Sequence, residues 1–223
     1  VAEKLTVFAA LTDLYRRIDE KLAPKLADQP ISCKKGCAHC CLLFTAVSTA
    51  DALQIAQTVL NWPDWREWVP KLVRAAQAHC FKGVGNNTYL AKKLRCVFLR
   101  EDNTCGIYAV RPAPCRFHLV VSKPELCDPN NGRAITTRLD LKQAESVIWE
   151  FSFELDQKLF QSKDPVLAPL PIMVLFGMLA LLKDKGPAFE FLSEQTKNIP
   201  SPKDYFKKYI LPKLKRRMEQ PAP

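Results

Sequence analysis

Glycine is scarce in this chain and histidine scarcer: 7 Gly and 3 His stand against 17 Pro among 223 residues. So few glycines leave neither a glycine-rich nucleotide loop nor a flexible tail. With only His39, His79 and His118 present, no Ser-His-Asp arrangement can be argued, and the carboxylates show no HExxH motif or paired spacing. The apolar run at 172–182 falls well short of the roughly 20 residues that cross a bilayer, so a buried central helix is expected there. Residues 1–17 never form a long uncharged apolar core with a cleavage site, so no secretory signal is read and a cytoplasmic setting is expected. The hydrophobic share of 48% and the charged share of 25% are ordinary for a globular chain with a sizeable core.

What is abundant is cysteine, at nine residues. Four of them, Cys33, Cys37, Cys40 and Cys41, fall within one nine-residue stretch. Cys96, Cys105, Cys115 and Cys127 follow, with Cys80 left outside the group. Thiols grouped this tightly in a reducing compartment point to metal rather than disulfides. Adjacent Cys40 and Cys41 are also a poor disulfide pair, because neighbouring side chains resist bridge geometry. The stretch should be a tight loop wrapped round metal. Gly36 lets Cys33 and Cys37 converge. Cys37 and Cys40 form the CxxC pair, and Cys41 must point another way, so one loop serves two sides of a site or two sites. His39 is a secondary ligand candidate, and His118 a neighbour of the ligands. Lys34, Lys35, Arg111 and Arg116 can offset negative charge or donate to sulfur or substrate.

The rest of the chain reads as mostly helical. Leu5, Phe8, Leu11, Tyr15, Ile18 and Leu22 mark an amphipathic helix ending at Pro24 or shortly after. Ser48 to Asp51 reads as a capping box before Ala52, Ile55, Ala56 and Val59. Asp64 with Glu67 is expected to cap a third helix, carrying Val69, Leu72 and Ala76. Trp62, Trp65 and Trp68 are read as core anchors rather than an exposed patch. Residues 83–89 read as a loop. A small β-hairpin is expected from 95–99 and 105–108, holding Cys96 and Cys105 near its open end. Past the turn at 128–132 there is no cysteine. Thr137 is expected to cap a long helix, 189–192 reads as a short one, and Tyr205 to Met218 as an amphipathic stretch broken at Pro212, with lysines and arginines on its polar side. The fold class is therefore mainly α: an irregular cysteine-rich metal-binding core with a small β-hairpin, surrounded by helices. Residues 1–132 would form the cysteine-cluster region and 133–223 a helical extension packed on it as one unit.

This cysteine layout resembles the bacterial YkgJ-like cysteine-cluster proteins, described as zinc- or iron-chelating. Their first motif is similar to Cys33, Cys37, Cys40 and Cys41. Their second resembles Arg95-Cys96-Val97-Phe98-Leu99 running into Cys105-Gly106-Ile107-Tyr108. The third is similar to Arg111-Pro112 followed by Cys115-Arg116, with a last thiol at Cys127. Bacterial flagellin lysine N-methylases share this kind of pattern, and that resemblance implies S-adenosylmethionine as a cofactor and a protein or peptide as substrate.

Several functions compete. Cys33-x-x-x-Cys37-x-x-Cys40 also has the spacing of radical S-adenosylmethionine enzymes, but helices flank it where repeated strand-helix units are required. A nucleic-acid zinc module needs a basic face beside the knuckles, whereas the basic residues gather at the far C-terminus, so nucleic acid is not an expected partner. The formal charge of +10 also falls to about +6 if eight thiolates hold two 4Fe–4S clusters. The expectation is an iron–sulfur protein with Cys33, Cys37, Cys40, Cys41, Cys96, Cys105, Cys115 and Cys127 as ligands, a 4Fe–4S cluster as cofactor, and a modifying activity on a protein or peptide. The alternative is a zinc-binding structural or interaction protein without catalysis.

Overall fold

A computed structural model describes residues 2–27, 31–34, 36–80, 94–128, 150, 153, 166–182 and 186–212. Among these the chain is mainly helical: α1 (Ala2–Ala27), α2 (Thr49–Leu60), α3 (Trp65–His79), the short α4 (Ala113–Arg116), α5 (Leu170–Leu181), α6 (Pro187–Thr196) and α7 (Pro202–Tyr205), the last continuing into a π-turn at Phe206–Ile210. Two short strands, β1 (Ala46–Val47) and β2 (Ala168–Pro169), pair antiparallel with Ala46 opposite Pro169. The helix expected from Thr137 and the loop at 83–89 lie outside the described residues. No helix among the described residues is long and apolar enough to cross a membrane.

α5 is the helix the others pack around. It is apolar on every side, and Leu170 to Leu175 are all buried, which is how a helix behaves when neighbours cover its whole circumference. α2, α3 and α6 supply that cover. The expected face of α2 is the observed one: Ala52, Ile55, Ala56 and Val59 are buried. The capping box is present too, with Ser48 Oγ accepting from the Asp51 N–H at 3.2 Å and the Asp51 carboxylate receiving the Ser48 N–H. α2 and α5 approach closely because Gly177 has no side chain. A Cβ there would stand 3.0 Å from the Ala52 carbonyl oxygen and 3.1 Å from the Ala56 Cβ.

α3 begins at Asp64 as expected, but Asp64 does not cap it through its side chain. The Trp68 indole N–H lies 3.2 Å from that carboxylate and takes it instead. The three tryptophans are packed, not displayed. Trp62 and Trp68 lean together at 4.9 Å, Trp68 stacks on buried Phe98 at 5.8 Å, and Trp65 meets Phe191 edge-on at 6.1 Å. At the end of α3, the Tyr205 hydroxyl donates to the His79 carbonyl at 3.0 Å and the Tyr209 hydroxyl to that of Cys80 at 3.2 Å. These bonds seat the C-terminal helical stretch, whose Lys207 and Lys208 face solvent. α1 runs three residues past Pro24, and its Leu14 and Tyr15 enter a second apolar cluster with Leu53, Ala113, Phe117 and Leu119.

Two stability predictions follow from this packing. Gly177→Val forces α2 and α5 apart against backbone, and should cost about 1–3 kcal/mol, a Tm decrease of roughly 3–10 °C in a thermal melt. His79 is 4% exposed and packs edge-on to Phe44 at 5.5 Å. Burial lowers its pKa from 6.5 to about 4. The unfolded chain therefore takes up this proton first as pH falls. Folding free energy should be lost between about pH 6.5 and pH 4, by on the order of 3 kcal/mol, and His79→Phe should flatten that part of the pH profile in urea titrations.

Candidate metal centre

The early cysteines lie on a strap held at both ends. At its start, the Ser32 N–H bonds the Val120 carbonyl at 2.8 Å, and the Cys33 thiol points to the His118 carbonyl at 3.8 Å. Gly36 has φ of +84°, a left-handed conformation that side chains resist, and it turns the chain between Cys33 and Cys37 as anticipated. Cys37 N–H closes on the Lys34 carbonyl at 3.0 Å, and a 3₁₀ turn, His39–Leu42, carries the vicinal pair. The strap then enters β1.

The second group arrives on a tight reversal. The Cys96 N–H donates to the Cys41 carbonyl at 2.9 Å, joining the two groups directly. Leu99 and Cys105 form one antiparallel bridge, flanked by bonds from Gly106 to Phe98 and from Arg100 to Thr104. The turn between them is set by Asn103 at φ of +59° and by the Asp102 carboxylate, which accepts the Thr104 N–H at 2.9 Å. The expected hairpin is thus reduced to a single bridge. Cys115 rides on α4, and Cys127 on a 3₁₀ turn, Pro124–Cys127, that packs against the 39–42 turn.

Their electrostatics show the thiols are neighbours. Cys40 is pushed far up by its hydrogen bond with Cys41, by burial and by the Cys41 charge. Burial raises Cys96 to about 11, with Cys105 and Cys40 adding to it. Cys115 is raised by burial, then by Cys96, Cys40 and Cys105. Cys127 is raised to about 11 by burial, then by Cys33, Cys37 and Cys40. Burial and neighbouring thiols raise Cys33 and Cys105 as well. Cys40 recurs in each set. All nine cysteines are free thiols. Buried sulfurs that repel one another as thiolates fit a bound cation, which removes the protons and screens the charges. The donor chemistry therefore suits zinc or iron. The thiols are gathered but not closed: among the described residues no group of three or more ligating side chains is arranged to hold a metal ion.

The two arginines part company. Arg111 lies over the Tyr108 ring at 4.4 Å, and its charge favours the thiolates of Cys33, Cys40 and Cys105. Arg116 turns away to pair with Asp19 at 2.6 Å, to bond the Ala109 carbonyl at 3.0 Å and to cover the Tyr15 ring at 4.9 Å. His118 contributes its carbonyl to Cys33, and burial lowers its imidazole pKa. Cys80 closes α3 with its thiol 3.2 Å from the Ala76 carbonyl.

Sequence reasoning missed the carboxylate that holds this assembly. Asp51 is fully buried. Besides Ser48 it accepts the Tyr15 hydroxyl from α1 and the Ala113 N–H, at 2.9 Å, from the start of α4. Burial raises its pKa against the pull of those donors. The capping box signals only the Ser48 bonds; the other two partners come from 36 residues upstream and 62 downstream.

Residues 32–136, which hold the whole cysteine group, match a family model described as "CxxCxxCC: Putative zinc- or iron-chelating domain". The matched segment is cysteine-rich and similar to that domain over a little under half of the chain. No curated protein and no solved structure matches the chain.

Asp51→Ala should strand the Tyr15 hydroxyl and the Ala113 N–H in an apolar setting. The expected loss is about 2–4 kcal/mol, read as a lower Tm, with Asp51→Asn costing less because it keeps an acceptor.

Proposed function

We propose that this chain is a metal-binding protein in which Cys33, Cys37, Cys40, Cys41, Cys96, Cys105, Cys115 and Cys127 hold zinc or iron, and that the metal serves structure and interaction rather than catalysis. The observation that carries this reading is the gathering of thiols from four separate segments around Cys40, in a family segment described as metal-chelating. When bound, the metal supplies a fourfold thiolate crosslink between segments that share little other regular structure. The protein's own part is to hold those segments: Arg111 eases the negative charge, the Ser32–Val120 bond fixes the strap, and Asp51 fixes α4.

The catalytic reading has less behind it. A cavity of about 290 Å³ between α2, α5 and the start of α7 is lined by Ala52, Leu53, Val166, Met173, Phe176 and their neighbours. Its described lining contains no thiol, imidazole or carboxylate, and shares no residue with the cysteine group. Lys203, at its rim, is the one ionisable side chain of that described lining, beside the hydroxyls of Thr49 and Ser201. An iron–sulfur cluster acting with S-adenosylmethionine on a peptide would need a pocket for both beside the thiols, and the described lining of this cavity includes none of the cysteines.

Metal analysis of protein purified without oxygen tests the reading. Zinc or iron should be present, and chelation should lower the Tm by more than about 10 °C, because metal binding and folding are coupled in such sites. A colourless zinc protein supports the structural role, while a broad absorption band near roughly 400 nm with matching sulfide marks the cluster. Metal-free protein that melts unchanged after chelation would overturn the proposal.

A further inference from the structure

We propose that the cavity between α2, α5 and the start of α7 binds a medium-chain carboxylate, with the hydrocarbon tail among the helices and the acid head at Lys203. The inference does not depend on the metal-binding reading above, because the described lining includes no cysteine.

The cavity runs from a polar mouth to an apolar interior. At the mouth Ser201 and Pro202 are half-buried and Lys203 is exposed. Further in, Ala52, Leu53, Val166 and Met173 are all buried, with Phe176 beside them in the lining. Protein interiors leave few voids larger than a water molecule, and apolar voids stay dry. A volume of about 290 Å³ is well beyond such a void and stands at the lower end of small-molecule sites, which begin near roughly 300 Å³. A hydrocarbon tail supplies the dispersion contacts that an unfilled volume forfeits. At about 30 Å³ for each water-sized group, a tail of about ten carbons matches the space, and the longer chains of membrane lipids do not.

The head group follows from the charge at the mouth. Among the described residues the Lys203 ammonium enters no ion pair. Lys207, four residues on, is exposed too and adds to the positive field. Asp204 lies between them, but its carboxylate is already engaged. The Ser201 hydroxyl donates to it at 2.6 Å, and the Asp204 N–H returns to that hydroxyl at 3.2 Å. Ser201 is thereby occupied in capping α7, which leaves the ammonium to meet a ligand. A cationic head is repelled there, and a neutral one gains the tail contacts alone. A carboxylate gains both, and at the mouth its charge stays close to water, where burial costs least.

Calorimetric titration of the whole chain with decanoate, decan-1-ol and decylammonium tests the site. Decanoate should bind in a one-to-one ratio and most tightly, the alcohol next and the ammonium last. Lys203→Gln should weaken decanoate by roughly 3–5-fold, the effect of an exposed charge pair, and leave the alcohol unchanged. Raised salt should shrink the same difference between acid and alcohol, since the ammonium faces solvent.

Methyl NMR of protein labelled at methionine locates the ligand without altering the cavity. Met173 belongs to the described lining, whereas Met178, buried further along α5, does not. Saturating decanoate should move the Met173 signal, assigned through Met173→Leu, well beyond that of Met178. No binding of decanoate, or binding that leaves the Met173 signal in place, would overturn the site. Equal affinity for the three head groups, or an unchanged decanoate affinity in Lys203→Gln, would overturn the carboxylate. None of these outcomes bears on metal content, which is measured separately.

Discussion

A buried carboxylate is the constraint on which the rest of the structure depends. Asp51 has no exposed surface, and a charge in that position is tolerated only because donors surround it. Those donors come from three places: Ser48 at the head of α2, Tyr15 in α1 and the first N–H of α4. One side chain thus fixes where the N-terminal helix lies, where α2 starts and where the segment carrying Cys115 enters. Arg116 extends the arrangement by pairing with Asp19 and covering the Tyr15 ring. Polar contacts of this kind contribute less net stability than the apolar core, but they define a unique arrangement, since any other packing leaves donors unsatisfied.

The cysteine region is built on the opposite principle. Among the described residues, the segments that carry its thiols hold three 3₁₀ turns, a four-residue helix and one isolated bridge. Its sulfurs are pushed toward the protonated form by burial and by one another. Phe98, Ile107, Phe117 and Leu119 anchor these loops in the two apolar clusters and offset part of the entropy of ordering them. Under the reading proposed above, a metal ion would supply what the backbone does not, exchanging protons for coordinate bonds and turning mutual repulsion into attraction to a common centre. α2 and α5, locked together through Gly177, provide the preformed support on which this closure takes place.

Much of this was legible in the residues. The capping box at Ser48, the buried face of α2 and the all-round apolar α5 were readable because each is encoded within a few turns of one helix. The cysteine group was readable because thiol spacing is a local property. What was hidden is long-range. The indole of Trp68 takes the Asp64 carboxylate that propensity alone assigns to a cap. The hairpin shrinks to one bridge because Cys96 spends its N–H on Cys41 rather than on a partner strand. Arg116 is chemically indistinguishable from Arg111 in the sequence, yet one faces Asp19 and the other the thiols. The bonds of Asp51 to Tyr15 and Ala113 span separations at which no spacing rule applies.

The short pairing of β1 with β2 has a wider effect than its size suggests. Ala46 and Val47 directly follow the cysteine strap, and Ala168 and Pro169 directly precede α5. Cys96, Cys105, Cys115 and Cys127 all lie on the excursion between the two strands, while Cys33 to Cys41 lie just outside it. The strand pair therefore acts as a clasp at the neck of a long loop. With the neck closed, the sulfurs of the excursion meet those of the strap at a high effective concentration, and the search for ligands becomes local. Two backbone pairings, each worth little alone, would shift much of the entropic cost of assembling the proposed centre from a bound metal to the fold.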